Sequence, residues 1–255
     1  AKYIATTCME VSKDARVYDR GMITIIEIMG RNAGWLAGSA ALAAKYGSGP
    51  DLIYLPETPL TLEKIFADVV KLYEKQGKVL VAVSEGIRDA DGNLIASIFT
   101  DTTDDKDNFG HRQMGGLATR LATELKHLTG AKVRGIELSL LQRCAAHLAS
   151  KTDVDEAVLA GRVAVESAVN GETGKMVAFE RFYAGGEYHC NTKLISLSDV
   201  ANIEKKVPLE WINAKHNNVT EDFINYVEPL IQGWPLRFYE HSLPRYARLK
   251  KILAE

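Results

Sequence analysis

This chain predicts an α/β fold built on a parallel sheet, and three observations carry the prediction. Two apolar runs, residues 23–29 ("ITIIEIM") and 79–84 (in "KVLVAVSEG"), are nearly continuous rather than alternating, as strands covered on both faces must be. Between them lie segments whose apolar residues recur at helical spacing. The connections are short, which favours βαβ units with parallel neighbours.

Taken in order, the chain opens on "AKYIATTCMEVSKDARVY", which reads as a helix already under way, with no initiator Met. An α/β unit more often opens on a strand, so an N-terminal part is expected to be missing. Residues 23–29 follow as the first strand, and residues 32–46 as an Ala-rich helix ended by Gly47. "DLIYLP", residues 51–56, is a second strand. Thr61 is placed to cap a helix whose Leu62, Ile65, Phe66, Val69, Val70 and Leu72 keep helical spacing, with Gly77 past its end. Residues 79–84 form the third strand.

The polar, Gly-bearing stretch 88–116 is expected to be a long loop or hairpin on the side of the functional site. A helix near 117–128 and a strand over "KVRGIELS", residues 132–139, restore the alternation. Thr152 with Asp155 resembles a capping box opening a helix over 153–170. "KMVAFER", residues 175–181, reads as the next strand. Beyond Tyr183 the pattern turns to short strands and turns, and the tail from Thr220 reads as helical, broken at Pro229, Pro235 and Pro244.

Composition excludes several classes. With 255 residues, 46% hydrophobic, 25% charged and a net charge of -2, the chain has ordinary globular balance. Nothing in it supports non-specific binding to nucleic acid, and no apolar run approaches a membrane span. Cys8, Cys144 and Cys190 are far apart, form no CxxC and have no metal-ligand spacing with histidine, so they read as thiols of a reducing cytoplasm.

Three short stretches carry chemistry. In "EIMGRNAGWLAG" a buried strand becomes a helix through Gly30 and Arg31. Ligands of open parallel sheets sit at the carboxyl ends of strands, and a helix N-terminus there favours anions. The turn is therefore either an anion site with a guanidinium fork or a structural turn with a solvated arginine. In "VAVSEG", Glu85 follows a buried strand and either accepts hydrogen bonds from sugar hydroxyls or faces solvent. In "VRGIELSLLQRCAAH", Arg134 opens a strand, Gln142 and Arg143 lie past its end, and His147 reads as a packing or capping residue. Two cations and one carboxylate at one sheet edge suit a phosphorylated polyol. "TDTTDDKD", residues 100–107, offers oxygen ligands for Mg²⁺ or Ca²⁺ but lacks EF-hand spacing and reads better as a solvated acidic loop.

In this order, "EIMGRNAGWLA", "VAVSEG" and "LSLLQRCAAH" resemble the phosphofructokinases, especially their bacterial pyrophosphate-dependent branch, from Ala1 to about Phe182. The resemblance implies the three-layer, parallel-sheet fold of that family in incomplete form. It further implies a sugar-phosphate domain over 1–144, a segment over 145–219 returning to the donor-side domain, and a helical tail over 220–255. It assigns Met29, Gly30 and Arg31 to fructose 6-phosphate, Glu85 to the sugar hydroxyls, and Gln142 and Arg143 to the sugar phosphate, with Leu140 and Leu141 just before them. Arg134 matches a basic residue that reaches across a subunit interface. Leu140 stands where the family has His or Tyr, and Met22 where many members carry a cross-subunit arginine.

The family's Gly-Gly-Asp donor loop and the Thr-x-Asp-x-Asp segment that supplies its general base precede this region, and neither stands ahead of Met29. The resemblance thus implies the C-terminal part of a cytoplasmic, Mg²⁺-dependent homodimer or homotetramer that transfers a phosphoryl group from pyrophosphate or ATP to fructose 6-phosphate in glycolysis. Arg31 would stabilise transition-state charge; no general base or metal ligand is assigned within the chain, which alone is expected to be inactive. The alternative is a non-catalytic or regulatory homologue that binds a sugar phosphate.

Overall fold

A computed structural model of the protein describes residues 1–19, 21–99 and 116–253. Its centre is a four-stranded sheet of β1 (Met22–Ile28), β2 (Leu52–Tyr54), β3 (Lys78–Ser84) and β4 (Lys132–Glu137). The strand order is β2-β3-β1-β4 and every pairing is parallel. β1 is buried at every position, which explains its uninterrupted apolar run.

Alternate residues of β1 feed two cores, one on each face. Ile26 and Ile28 pack with Ile4 and Cys8 of helix α1 (Lys2–Val17), with Ala40 and Leu42, and with Phe223 and Val227 of α7 (Glu221–Val227). Ile23 and Ile25 pack against Ile65 and Val69 of α3 (Leu62–Gln76) and Leu121 and Leu125 of α4 (Leu117–Thr129). The result is three layers, helices on both faces of the sheet.

Local signals decide the ends of α3. Thr61 Oγ1 accepts from the Lys64 N–H at 3.2 Å, and Gly77, left-handed at φ 73°, donates its N–H to Tyr73 O at 2.7 Å. Elsewhere the structure departs from the sequence expectation. The helix expected over 32–46 is α-helical only at α2 (Trp35–Gly38) and continues as 3₁₀ turns over Ser39–Tyr46. At that junction Ser39 Oγ donates to Leu36 O at 2.6 Å, competing with the backbone for a helical carbonyl.

After β4 come the short α5 (Leu141–Cys144) and the long α6 (Lys151–Val169). The cap of α6 is Ser150, whose Oγ accepts from the Asp153 N–H at 3.2 Å, so the capping box expected from Thr152 and Asp155 does not form; Asp155 pairs with Lys151 inside the helix instead. "KMVAFER" does not extend the parallel sheet. It lies in β5 (Lys175–Ala184), which pairs antiparallel with β6 (Glu187–Ser196) as a separate two-stranded hairpin.

The tail is helical only through α7 and a 3₁₀ turn ending at Ile231. Val207, Ile212 and Val219, ahead of α7, share one core with its Phe223 and Val227. Arg88 and Leu94 close a tight turn by an antiparallel bridge and a 3₁₀ turn follows at Ile95–Phe99; residues 100–115, with the acidic run 100–107, lie outside the described residues. Among the described residues no helix is long and apolar enough to cross a membrane, and the three cysteines are free.

Candidate functional site

The order β2-β3-β1-β4 places a topological switch beside β1: after β1 the chain runs to β2 at one edge, returns to β3 between the two, then crosses to β4 on the other side. Ligand crevices of open α/β sheets form at the carboxyl ends of strands at such points. Here two backbone bonds extend the sheet into the crevice, Glu85 N–H to Ile28 O at 3.0 Å and Leu138 N–H to Glu27 O at 3.1 Å.

Four of the predicted residues meet there. The Met29 N–H donates to Gln142 Oε1 at 3.3 Å and the Gly30 N–H to Glu85 Oε1 at 3.2 Å, joining the ends of β1, β3 and β4. Gly30 sits at φ 143°, and a Cβ there would lie 2.8 Å from Ala33 O, so the turn requires glycine. A Cβ on Gly86 would lie 1.9 Å from Arg31 O, so the Glu85 turn and the Arg31 backbone are in direct apposition. The carboxylate and amide that engage these two N–H groups are groups that can also exchange hydrogen bonds with hydroxyls of a bound polyol.

Arg143 follows Gln142 on α5, exposed, with its N–H bonded to Leu140 O at 3.0 Å. Leu140 and Leu141, between the end of β4 and Gln142, are 60% and 63% exposed, whereas Leu138 is buried. Arg134 is not at this edge. It pairs in register with Thr24 and lies with Glu10, Asp14 and Met22 in a cavity of about 270 Å³ beneath α1, on the strand that ends the sheet. His147 stands in a separate 3₁₀ turn and meets the Tyr3 ring edge-on at 6.2 Å, a packing role. Among the described residues no group of three or more His, Cys, Asp or Glu side chains gathers as a metal site.

Two further groups escaped the sequence reading. Ser84 Oγ donates to Gly30 O at 2.6 Å and accepts from the Gly86 N–H at 3.2 Å, tying both turns together from a fully buried position. Glu27 is 5% exposed, and its Oε2 accepts from the Ala118 N–H at 2.9 Å in the first turn of α4. Burial pushes its carboxyl up to about 7, helped by the charges of Glu137 and Glu85 and opposed by the N–H groups of Ala118 and Leu117. A charged letter inside "ITIIEIM" was the available signal for it.

The family model for phosphofructokinase matches residues 1–146. The chain is 39% identical over 258 aligned residues to a pyrophosphate–fructose 6-phosphate 1-phosphotransferase of Halomonas elongata, covering 100% of this chain and 60% of that protein. It is 37% identical to the enzyme of the same name from Methylococcus capsulatus, covering 99% of this chain and 59% of that one. The crystal structure of a pyrophosphate-dependent phosphofructokinase from Marinobacter aquaeolei superposes with a TM-score of 0.83 at 33% identity, over 100% of this chain and 59% of that chain. The chain thus spans about 60% of the length of the relatives it matches.

Proposed function

The chain belongs to the phosphofructokinase family, and on that footing we propose that it carries the fructose 6-phosphate site of a diphosphate-dependent 6-phosphofructokinase. The observation that carries the reading is the pair of bonds from Met29 and Gly30 to Gln142 and Glu85, which gathers the ends of three strands into one polar crevice. Glu85 accepts hydrogen bonds from sugar hydroxyls, while Gln142 and Arg143 hold the 6-phosphate through neutral and charged donors. Leu140 and Leu141 shape the mouth of that pocket.

Arg31 supplies positive charge to the phosphoryl group in flight, where charge neutralisation and positioning account for most of the catalysis. Arg134 serves a neighbouring copy: its place on the outermost strand, away from the crevice, supports a cross-subunit role in a homodimer or homotetramer. Mg²⁺ accompanies the phosphoryl donor, pyrophosphate being favoured over ATP by the relatives' names; the described residues offer it no ligand cluster, so none is assigned to it. The reaction is that of cytoplasmic glycolysis.

A coupled assay of the full-length protein with fructose 6-phosphate and pyrophosphate or ATP tests the reading. Turnover preferring pyrophosphate supports it. Saturable binding of fructose 6-phosphate without turnover by either donor would favour a regulatory homologue, and absence of binding would remove the site.

A further inference from the structure

The turn that carries Arg31 is held at Gly30 by Glu85 and Ser84, and its far end is held by other groups. It leads into α2, a helix of four residues whose N-cap, Gly34, has no side chain to cap it. So short a helix has too few internal hydrogen bonds to fix the geometry of its first turn. The fixing groups come from elsewhere in the chain. Glu57, just beyond β2 in "YLPET", accepts the Gly34 N–H at 2.8 Å on Oε1, and the same oxygen accepts the Val207 N–H at 3.0 Å.

Val207 belongs to a strap, residues 204–207, that meets the turn twice more. Trp35 Nε1 donates to Lys205 O at 2.7 Å, although the two residues are 170 positions apart. Asn32 Nδ2 donates to Glu204 Oε1. The Trp35 ring is stacked at 5.8 Å on Phe223, with Tyr226 at 5.2 Å and Trp211 edge-on at 6.2 Å, so the donor is held rigidly. The remaining oxygen of Glu57 is buried without a hydrogen bond, so this carboxylate serves the backbone of the turn and the strap.

We propose that Glu57 is a positioning residue for Arg31: one carboxylate oxygen, shared by the Gly34 and Val207 N–H groups, locks the turn from which the guanidinium acts on the transferred phosphoryl group. The proposal rests on the role given to Arg31 above. It makes the C-terminal strap part of the catalytic apparatus without touching substrate. A group that acts only through Arg31 must lose its effect once Arg31 is gone, which separates positioning from general stability.

The test is steady-state kinetics on the full-length protein with fructose 6-phosphate and pyrophosphate, comparing Arg31→Ala, Glu57→Ala, Glu57→Gln and the double variant R31A/E57A. Glu57→Ala should lower kcat about ten- to a hundredfold, the scale of a misplaced catalytic group, with KM for fructose 6-phosphate moved less than about threefold. Glu57→Gln keeps an acceptor oxygen for both N–H groups and should recover kcat to within roughly threefold of the parent. The double variant should be no slower than Arg31→Ala alone, within about twofold. Losses that multiply in the double variant, or a Glu57→Gln as slow as Glu57→Ala, would overturn the proposal. If Arg31→Ala leaves kcat intact, the role of Arg31 itself is wrong and the proposal falls with it; multiplying losses leave that role standing. Should Glu57→Ala fail to fold, Trp35→Phe removes the indole N–H while keeping an aromatic ring in its place. A kcat loss that vanishes in the Arg31→Ala background then supports the strap, and no loss, or an equal loss in both backgrounds, overturns it.

Discussion

The sheet domain and the limb formed by α6 and the β5–β6 hairpin treat apolar surface in opposite ways. The sheet strands bury residues such as Ile23, Ile26 and Val83 completely between two helical layers. Neither α6 nor either strand of the hairpin buries a single residue fully. Val154, Val158, Val165 and Val169 of α6 are all exposed. The limb is tied to itself and to the domain mostly by polar and ring contacts, such as Tyr188 Oη to Glu156 at 2.7 Å and Arg181 Nη1 to Tyr226 O at 2.9 Å. Within a chain that spans about 60% of the length of its relatives, the contrast shows which part carries its own complete scaffold. Groups that must hold a substrate to a fraction of an ångström need a scaffold with no alternative arrangement, and the doubly covered β1 and β3, with the end of the more exposed β4 beside them, form that scaffold.

The largest expected effect is on stability. Ile26→Ala removes a fully buried side chain between the sheet and α1 and should cost about 2–5 kcal/mol in denaturant unfolding. Val158→Ala, at a position 55% exposed, should stay within roughly 0.5 kcal/mol in the same chain. Equal costs would erase the contrast between the two regions.

Next comes catalysis at the sheet edge. Arg31→Ala in the full-length protein should lower kcat by on the order of 10²–10³ while raising KM much less, because its charge counts more in the transition state than in the ground state. If kcat holds and only thermal stability drops, the Gly30–Arg31 turn is structural.

Glu27 gives the sheet domain a pH dependence in the neutral range. Its folded value, about 7, lies above its ordinary 4.5. Its contribution to stability is therefore present in full below about pH 4.5 and is lost as pH rises through 7. The melting temperature should fall between pH 5 and pH 8 (roughly the window set by that shift), and Glu27→Gln, which keeps an acceptor for the Ala118 N–H, should flatten the fall. An identical slope in both proteins would place the titration elsewhere. A smaller effect is expected from Arg143→Ala, whose lost charged hydrogen bond to phosphate is worth about 1.5–3 kcal/mol, a ten- to hundredfold rise in KM for fructose 6-phosphate.

Legibility followed burial as well. β1 and β3 could be read because both faces are covered, and α3 because Thr61 and Gly77 mark its ends by local bonding. The 3₁₀ run over Ser39–Tyr46 could not, since an Ala-rich stretch carries high α-propensity and the departure comes from a side-chain bond at Ser39. The hairpin was available in the letters, because Gly185–Gly186 between two alternating runs is a two-residue turn signal, but its exposed strands lack the continuous apolar run that drew attention to β1. Within the site, Met29, Gly30, Glu85 and Gln142 were legible as motif residues. Ser84 and Glu57 were not, because their work is done on backbone N–H and C=O groups whose positions only the fold supplies.

The most direct measurement of the central claim is amide hydrogen exchange on the full-length protein with and without fructose 6-phosphate. The account predicts added protection in peptides spanning 28–35, 84–87 and 138–144, where the ends of β1, β3 and β4 meet, and no change across α6 and the hairpin at 151–196. Protection confined to 151–196, with the three strand ends unchanged, would contradict it.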